Sequence, residues 1–389
     1  MRTIDAQSAA DLLGVKVSTI YSYASRGMLQ SLPSPTDARK RVYVLSEVQR
    51  LRRKGDAHRG DEASAASALD WGAPVLDTSI SKIGYAGPSY RDHLARSLCR
   101  DGRPFEHVAE LLWSGVLPDP SAALEPWRPF DMPDVLELES LPVLDAIHMA
   151  LTWISVHQKD ALDDARHLAR RAVATATACV PGAPDQGSIA SRLAHAWGSS
   201  EGVRAIEVTL VMCADHDLNA STFTARVASS ARADLLHCII AALATFSGSR
   251  HGGSPPLARD MLDEIAAQGS AHDILSARAA RGQHIPGLGH ALYSHGDSRT
   301  VVIAEAMPDT AEAAQALATL EELTEAAIRL NLGKPNLDVA LGTLARGLGL
   351  PRGSSSVLFA IGRMAGWVAH ALEQRERPEL LRPRARPCP

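Results

Sequence analysis

Helix-forming residues dominate this chain and limit what it can fold into. Alanine, leucine, glutamate and arginine recur throughout its 389 residues, whereas aromatic residues make up only 4% and β-branched runs are scarce. The abundant types are strong helix formers, and the rare types are those that strands favour. The sequence therefore predicts an all-α protein, and its length predicts two or three compact units.

Turn-forming residues divide the chain into segments. Helical patterns are predicted at residues 105–113, 144–156, 161–176, 189–197, 261–267, 311–330 and 357–374. Gly115, Pro118 and the turn at 181–184 interrupt them. Residues 79–84 are expected to be short extended structure, and a helix is predicted to open at Tyr90.

The first sixty residues differ in charge from the remainder. They hold 11 Lys+Arg against 5 Asp+Glu, which leaves 29 against 39 for the rest of the chain. The overall net charge of −4 therefore conceals a basic segment attached to an acidic body. Basic appendages often contact nucleic acid, so this segment is a candidate for such contact.

Two short helices are predicted in the basic segment, at residues 9–13 and 19–26, joined by a turn of about four residues. Such a pair forms the helix-turn-helix geometry, in which the second helix enters the DNA major groove. A hairpin-like basic wing at 39–44 and a third helix capped by Ser46 follow.

This pattern resembles the winged helix-turn-helix domains of mercury-resistance regulators and excisionases. We assign residues 1–56 to this domain, with DNA as its possible partner, and residues 57–74 to a linker. Two alternatives stay open: a helical module for oligomer contacts, or a remnant domain that does not bind DNA. Basic charge supplies affinity for phosphates but carries no sequence readout.

Three histidines lie in settings that suit proton transfer. His216 and His251 stand at the two ends of a polar-capped, alanine-rich helical segment, and His251 is followed by two glycines that let a ligand approach the backbone. His290 ends a glycine-rich turn at 285–290. A histidine in a loop can also be without function, so each is only a candidate on its own.

Asp338 and three arginines complete the set of candidate residues. Asp338 stands just inside a predicted helix start, where an acid is more often a cap than a catalyst. Arg363 lies among apolar neighbours and needs a partner, either a structural carboxylate or a bound anion. Arg299 and Arg382 are further candidates, because a guanidinium pairs with a carboxylate through two parallel hydrogen bonds.

These groups together suit one kind of reaction. A carboxylate base, two imidazoles and several arginines fit carbon–carbon bond formation between an enolisable thioester and a keto diacid. The base removes a weakly acidic proton next to the thioester carbonyl, and a hydrogen-bond donor stabilises the enolate as charge develops.

Five motifs in order identify what the chain resembles. They are His-Asp-Leu-Asn-Ala-Ser-Thr-Phe at 216–223, Arg-His-Gly-Gly at 250–253, Pro-Gly-Leu-Gly-His at 286–290 with Gly-Asp-Ser-Arg at 296–299, Pro-Asn-Leu-Asp at 335–338, and Phe-Ala-Ile-Gly-Arg-Met-Ala-Gly-Trp-Val-Ala-His at 359–370. Residues from about 75 to 387 therefore resemble citrate synthase.

The resemblance implies an all-helical homodimer that condenses acetyl-CoA with oxaloacetate to give citrate and CoA. A large domain would comprise 75–264 and 353–389, and a small domain, 265–352, would close over the substrates. An acyl-CoA would be a co-substrate, with neither a permanently bound cofactor nor a metal.

The resemblance also implies roles for the candidate residues. Asp338 would deprotonate the acyl group, His251 would hydrogen-bond the developing enol, and His290 would polarise and protonate the oxaloacetate carbonyl. The residues that would contact the substrates are His216, Arg299 and Arg363 for oxaloacetate, Arg382 from the neighbouring subunit, and Gly287, Leu288 and Gly289 for CoA.

Some positions depart from the family's pattern. Val339 and Ala340 follow Asp338 where an aromatic pair is common, Ser298 replaces a usual proline, and Asp217 replaces a common glutamate. A 2-methylcitrate synthase that uses propionyl-CoA is a close alternative, since one methylene changes selectivity by only ~1–3 kcal/mol. A DNA-binding regulator with a synthase-like sensing body is the other alternative.

The remaining features fit a cytoplasmic protein. Five widely spaced cysteines form no Cys-x-x-Cys pair, which suggests neither a zinc site nor a disulfide framework. The first twenty residues lack the long apolar core of a secretory signal. No apolar run approaches the ~18 residues of a membrane span.

Overall fold

A computed structural model describes residues 3–13, 15–26, 28–33, 41–45, 47–48, 51, 75–157, 164–293, 295–383 and 385. The chain divides into two compact units, one from Met1–Asp77 with Ser276–His284 and the other from Thr78–Leu275 with Ile285–Pro389. The predicted linker at 57–74 and the predicted cap Ser46 lie outside the described residues.

The described part of the first unit combines two short helices with a small sheet. Its elements are β1 (Thr3–Asp5), α1 (Ala6–Leu13), α2 (Val17–Ser25), β2 (Ser31–Pro33) and β3 (Arg41–Val44). The strands pair antiparallel in the order β1-β3-β2. The Asp5 carboxylate accepts from the Ser8 amide at 2.7 Å and so helps α1 to begin.

A small apolar core holds these elements together. Ala9 and Ala10 of α1, Ile20 of α2 and Tyr43 of β3 are among its buried residues. Alanine on α1 lets the two helices approach closely. The helix-turn-helix assignment stays a prediction, and the strand β1 is an addition to it.

The second unit begins with a three-stranded antiparallel sheet, β4 (Ser81–Gly84), β5 (Gly87–Tyr90) and β6 (His93–Leu94). The extended structure predicted at 79–84 is present, but the helix predicted to open at Tyr90 is wrong. Tyr90 pairs with Ser81 in the sheet, and its hydroxyl donates to the Val211 carbonyl at 2.9 Å. Arg91 and Asp92 then take positive φ and reverse the chain, so the helix begins only at Ala95.

The rest of the second unit is helical. Its helices are α3 (Ala95–Arg100), α4 (Phe105–Ser114), α5 (Val143–His157), α6 (Ala165–Ala178), α7 (Ile189–Ala196), α8 (Val203–Cys213), α9 (Ala220–Ser230), α10 (Leu235–Phe246), α11 (Ser254–Gln268), α12 (Ala271–Ala280, whose last residues belong to the first unit), α13 (Ser298–Glu305), α14 (Ala311–Arg329), α15 (Leu337–Gly347) and α16 (Ser354–Arg375). The expectation of a mostly helical protein is confirmed.

The helix α16 lies at the centre of this unit. Every residue from Ser354 to Ala371 is buried, and the helix packs against α4, α6, α8, α9, α10, α11 and α15. A helix that is covered on all sides belongs to the interior of a large core. Arg363, which lies within this buried stretch, is therefore removed from water.

Buried apolar residues of the second unit form two clusters. The larger includes most of α3 to α10 and α16. The smaller is built from α11, the start of α12, α14 and Val339 of α15. The predicted domain boundaries within 75–389 stay predictions.

The segment between His216 and His251 is two helices rather than one. α9 ends at Ser230, Arg232 takes a positive φ of 66°, and α10 starts after Asp234. The two helices pack against each other and against α16. No helix in the described part of the chain is both long enough and apolar enough to cross a bilayer.

Candidate active site

Two predicted site histidines from separate segments lie side by side. The imidazole rings of His216 and His290 are 5.2 Å apart and nearly perpendicular. His216 Nε2 is 2.8 Å from the hydroxyl of Tyr293, whose ring also lies 4.9 Å from that of His290. The guanidinium of Arg299 lies 5.5 Å from the centre of the Tyr293 ring. The structure therefore brings four polar groups into one cluster.

The loop that carries His216 is tied down on both sides. The Ser81 hydroxyl donates to Oδ2 of Asp215 and accepts from the Asp217 amide at 3.3 Å. His370 on α16 lies 3.2 Å from the same Asp215 oxygen. Strand β4 and helix α16 therefore hold the residues on each side of His216, which is itself buried.

Arg299 is held by an adjacent carboxylate. Its Nε donates to Oδ1 of Asp297 at 2.9 Å and its Nη2 to Oδ2 at 2.6 Å. Burial alone would lower the pKa of Arg299, but the attraction of Asp297 outweighs it and raises that pKa. Asp297 also accepts from the Leu337 amide at 3.1 Å, so it joins the start of α13 to the start of α15.

Arg363 is a buried cation with open donors. It has no exposed surface, and its Nε donates to the Cys213 carbonyl at 2.7 Å. Neither Nη1 nor Nη2 has a hydrogen-bond partner among the described residues. Arg192 is equally buried, yet its nitrogens donate to the carbonyls of Pro184, Trp127 and Ala174.

That contrast points to an anion at Arg363. A buried guanidinium without hydrogen bonds is costly, whereas a carboxylate would satisfy both donors at once. Burial already lowers the pKa of Arg363, which shows how strongly the surroundings disfavour its charge.

His251 lies in a tight turn after α10. Its Nε2 is 2.8 Å from the hydroxyl of Ser221, which also accepts from Trp367 Nε1 at 3.0 Å. The ring of Phe246 lies 4.9 Å from that of His251, and the ring of Phe359 lies 5.8 Å away. The imidazole is therefore held by one hydroxyl and packed between aromatic rings.

All three histidines are neutral at neutral pH. Burial, followed by the charge of Arg363, lowers the pKa of His251 to about 4. Burial and Arg299 lower the pKa of His290 to about 4. Burial, with help from Arg299 and Arg363, holds the pKa of His216 well below its ordinary value. Each neutral ring keeps one N–H, so each can donate a hydrogen bond without carrying charge.

Asp338 stands at the start of α15 but does not cap it. Asn336 is the cap, and its side-chain oxygen accepts from the Asp338 amide at 2.9 Å. The Asp338 carboxylate is half-buried and accepts from the Ser254 hydroxyl at 2.7 Å. The cap of α15 is therefore Asn336, and the Asp338 carboxylate faces Ser254 instead.

The loop of Gly287 and Gly289 packs against the start of α15. Gly289 N donates to the Lys334 carbonyl at 2.8 Å, and Asn336 N donates to the Gly287 carbonyl at 2.9 Å. Both glycines have a φ of 75°, and a Cβ on Gly287 would overlap the side chain of Val339. Leu288 forms an isolated antiparallel β-bridge with Pro335. The loop and Asp338 are thus parts of one local structure.

Comparison with known families fits this geometry. The sequence pattern described as "Citrate synthase, C-terminal domain" matches residues 68–384, which is most of the chain. The protein belongs to the citrate synthase family. Members of this family are acyltransferases.

Relatives within the citrate synthase family carry two names. The chain is 29% identical over 346 residues to 2-methylcitrate synthase 1 of Corynebacterium glutamicum, covering 79% of this chain and 91% of that protein. It is 30% identical over 350 residues to a citrate synthase of Mycolicibacterium smegmatis, covering 80% and 92%. The structure is similar to citrate synthase from Thermotoga maritima, with a TM-score of 0.68 and 26% identity over 81% of this chain and 93% of that one.

Arg382 is not part of the site cluster of its own chain. It lies exposed on the tail beyond α16. The family resemblance implies that it acts on a neighbouring subunit, and that role stays a prediction. Within the described residues, no group of three or more His, Cys, Asp or Glu side chains is arranged to hold a metal ion.

Sequence reasoning left several residues of the cluster without a role. Asp297 lies within the motif at 296–299 and Tyr293 lies between that motif and the one at 286–290, so their position was the available signal. Ser221 lies within the motif at 216–223 and had the same signal. Ser254 had none, since its partner is 84 residues away.

Proposed function

We propose that this protein condenses a short acyl-CoA with oxaloacetate and releases CoA. One observation carries the proposal: two buried guanidinium groups, one of them with both terminal nitrogens open, stand beside neutral histidines. Such a site suits a small keto diacid, because each carboxylate can pair with a guanidinium while an imidazole donates to the keto oxygen.

In this proposal Arg299, Arg363 and His216 hold oxaloacetate. Asp297 keeps Arg299 oriented, and the Tyr293 hydroxyl does the same for His216. His290 polarises the keto carbonyl. Being neutral, it can donate its proton to the carbonyl oxygen as the new bond forms.

Asp338 and His251 activate the acyl group. A carboxylate oxygen of Asp338 takes a proton from the carbon next to the thioester, and His251 donates a hydrogen bond to the enol oxygen. Nε2 of His251 faces the Ser221 hydroxyl at 2.8 Å, so Nδ1 is the ring nitrogen that donates to the enol oxygen. This role requires the single Ser221 proton to go to Nε2 rather than to the Asn219 side-chain oxygen, which lies 2.9 Å from the same hydroxyl. The enol carbon then bonds to the keto carbon, and water hydrolyses the thioester to release CoA.

The CoA portion would lie along Gly287, Leu288 and Gly289, a loop whose backbone is held against the start of α15 with positive φ at both glycines. CoA is a co-substrate here rather than a permanently bound cofactor. We further propose a homodimer, in which Arg382 of each chain completes the oxaloacetate site of its neighbour. The proposed domains are 75–264 with 353–389, and 265–352.

Both acetyl-CoA and propionyl-CoA are candidate substrates. The matched relatives are named citrate synthase and 2-methylcitrate synthase at about the same identity. The side chains after Asp338 are small, since Val339 and Ala340 follow it, and both are buried. We propose acetyl-CoA as the main substrate and propionyl-CoA as the alternative.

A thiol-release assay tests the proposal. Purified protein is mixed with acetyl-CoA or propionyl-CoA, with and without oxaloacetate, and free CoA thiol is followed. We expect release with at least one acyl-CoA, and only when oxaloacetate is present. A folded protein that releases no thiol from either substrate would overturn the proposed activity.

A second candidate function concerns residues 1–56. The exposed face of α2 and its flanks carries Lys16, Ser18, Tyr21 and Arg26, and Tyr21 is 55% exposed. These side chains suit contact with DNA, which the sequence also predicts for this segment. A gel-shift titration across a salt series tests it: binding should weaken steeply as salt rises, and absence of binding at low salt would contradict it.

A further inference from the structure

The Ser254 hydroxyl donates to Oδ2 of Asp338 at 2.7 Å. A carboxylate base must present one of its two oxygens to the carbon that it deprotonates, so its orientation matters. We propose that Ser254 is a positioning residue for this base, because its hydroxyl holds Oδ2 and so sets the orientation of the carboxylate. The inference rests on the proposed condensation activity.

Ser254 is itself fixed in place. Its amide donates to the His251 carbonyl at 3.0 Å, and the Gly253 amide donates to the Gly248 carbonyl at 3.2 Å. Ser356 of α16 donates to the Gly252 carbonyl at 2.6 Å. A hydroxyl on so constrained a turn has little freedom to leave its partner.

The two prolines after Ser254 add to this rigidity. Pro255 and Pro256 occupy the start of α11, where their fixed φ suits the first helical turn and their missing N–H groups leave nothing unsatisfied. The helix therefore begins with its backbone already in the required conformation. Less conformational entropy is lost when Ser254 bonds to Asp338.

One short turn thus connects both groups that act on the acyl carbon. His251 is the proposed donor to the enol oxygen and Asp338 is the proposed base, and Ser254 lies three residues after the first while bonding to the second. Proton abstraction depends on sub-ångström placement of these groups relative to each other. The Ser254 bond fixes that placement from the His251 side.

The bond also favours the charged form of the carboxylate. A hydroxyl that donates to a carboxylate stabilises the anion more than the neutral acid. The other charged groups of the site, Asp297, Arg299 and Arg363, act on Cys213 together with Asp338, and none of their hydrogen bonds given above involves Ser254. Arg259 and Arg346, on the two helices that this bond joins, are paired with Asp263. When activity is plotted against pH, a shift of the fall at low pH, the acid limb, therefore reports the loss of this hydroxyl.

The test compares three variants of the full-length protein: Ser254→Ala, Ser254→Thr and Ser191→Ala. Ser191 is a matched control, since it is also a half-buried serine in the first turn of a helix, but its hydroxyl donates only to the Ser188 carbonyl. Thiol release is measured as kcat, KM for oxaloacetate, and kcat/KM for acyl-CoA from pH 5 to 9. Circular dichroism and thermal unfolding confirm that each variant folds.

For Ser254→Ala we expect kcat to fall about tenfold, since a hydrogen bond to a charged group contributes about that factor. The acid limb should move up by about one pH unit, because the carboxylate becomes easier to protonate. KM for oxaloacetate should stay within about twofold. Ser254→Thr should restore both kcat and the acid limb, and Ser191→Ala should match the wild type.

The outcomes separate this inference from the activity on which it rests. An active wild type with an unchanged acid limb in Ser254→Ala would overturn the role of Ser254 alone. So would a Ser254→Thr variant as impaired as Ser254→Ala, since that would indicate a steric rather than a hydrogen-bonding effect. A wild type that releases no thiol would overturn the proposed function, and the role of Ser254 with it.

Discussion

The two halves of the candidate site differ in the charge of their side chains. The keto-acid half consists of His216, His290, Tyr293, Asp297, Arg299 and Arg363, and the acyl half consists of Ser221, His251, Ser254 and Asp338. The first half contains two buried guanidinium groups, of which only Arg299 is hydrogen-bonded to a carboxylate. The second half contains one carboxylate and one neutral imidazole beside aromatic rings.

This difference explains how one site can bind a diacid and also deprotonate an acyl carbon. A diacid is bound by fixed positive charge, and a buried cation with open hydrogen-bond donors, such as Arg363, gains most when the diacid arrives. A weakly acidic carbon is deprotonated by an oriented base with a neutral donor nearby. We therefore expect the keto-acid half to provide the affinity for oxaloacetate and the acyl half to carry out the proton-transfer step.

The largest expected effect comes from Asp338→Asn. The amide cannot accept the proton, so kcat for thiol release should fall by about 10²–10⁴-fold, the usual contribution of a general base. Asp263→Asn is the control, since Asp263 is a partly exposed carboxylate on α11 that pairs with Arg346. Turnover by Asp338→Asn at the wild-type rate would show that the base is misassigned.

A smaller effect is expected from Arg363→Lys. Lysine keeps the charge but lacks the paired guanidinium N–H donors that bind both oxygens of a carboxylate. KM for oxaloacetate should therefore rise by about 10–100-fold. KM for acyl-CoA should change little. Arg192→Lys is the matched control, because it alters an equally buried arginine whose nitrogens donate to backbone carbonyls. If both variants had the same KM for oxaloacetate, the open donors of Arg363 would have no part in binding.

The smallest effect concerns stability against pH. The pKa of His290 is lowered to about 4 by burial and by Arg299, whereas an unfolded histidine titrates near ~6.5. Between these values the unfolded chain binds the extra proton, so stability falls as pH drops from about 6.5 towards 4. The fall in unfolding temperature from pH 7 to pH 5 should be smaller in His290→Asn than in the wild type. Equal falls would place His290 in a more solvated setting than the structure gives it.

The sequence predicted the parts of this site that lie within motifs. A buried Arg363 in need of a partner followed from its apolar neighbours, but the split between a bound backbone carbonyl and two open nitrogens needed the three-dimensional packing of α8 against α16. Asp338 looked like a cap from its position alone, and only the Asn336 bond shows that the cap is elsewhere.

Local pattern failed where tertiary pairing decides the structure. Tyr90 resembles the start of a helix in sequence, yet its partner Ser81 and its hydroxyl bond to Val211 hold it in a sheet. The Ser254–Asp338 bond joins residues 84 positions apart, and a single sequence contains no signal for such a pair. Motif order thus revealed the family, while the contacts between motifs required the structure.

Calorimetric titration of oxaloacetate into the Asp338→Asn variant tests the division of the site most directly. The keto-acid half is intact in this variant, so the dissociation constant should stay within a few-fold of the wild-type value although thiol release is lost. Arg363→Lys, titrated in parallel, should bind oxaloacetate about 10–100-fold more weakly. If Asp338→Asn loses affinity as much as Arg363→Lys, binding and proton transfer share the same groups and the division is wrong.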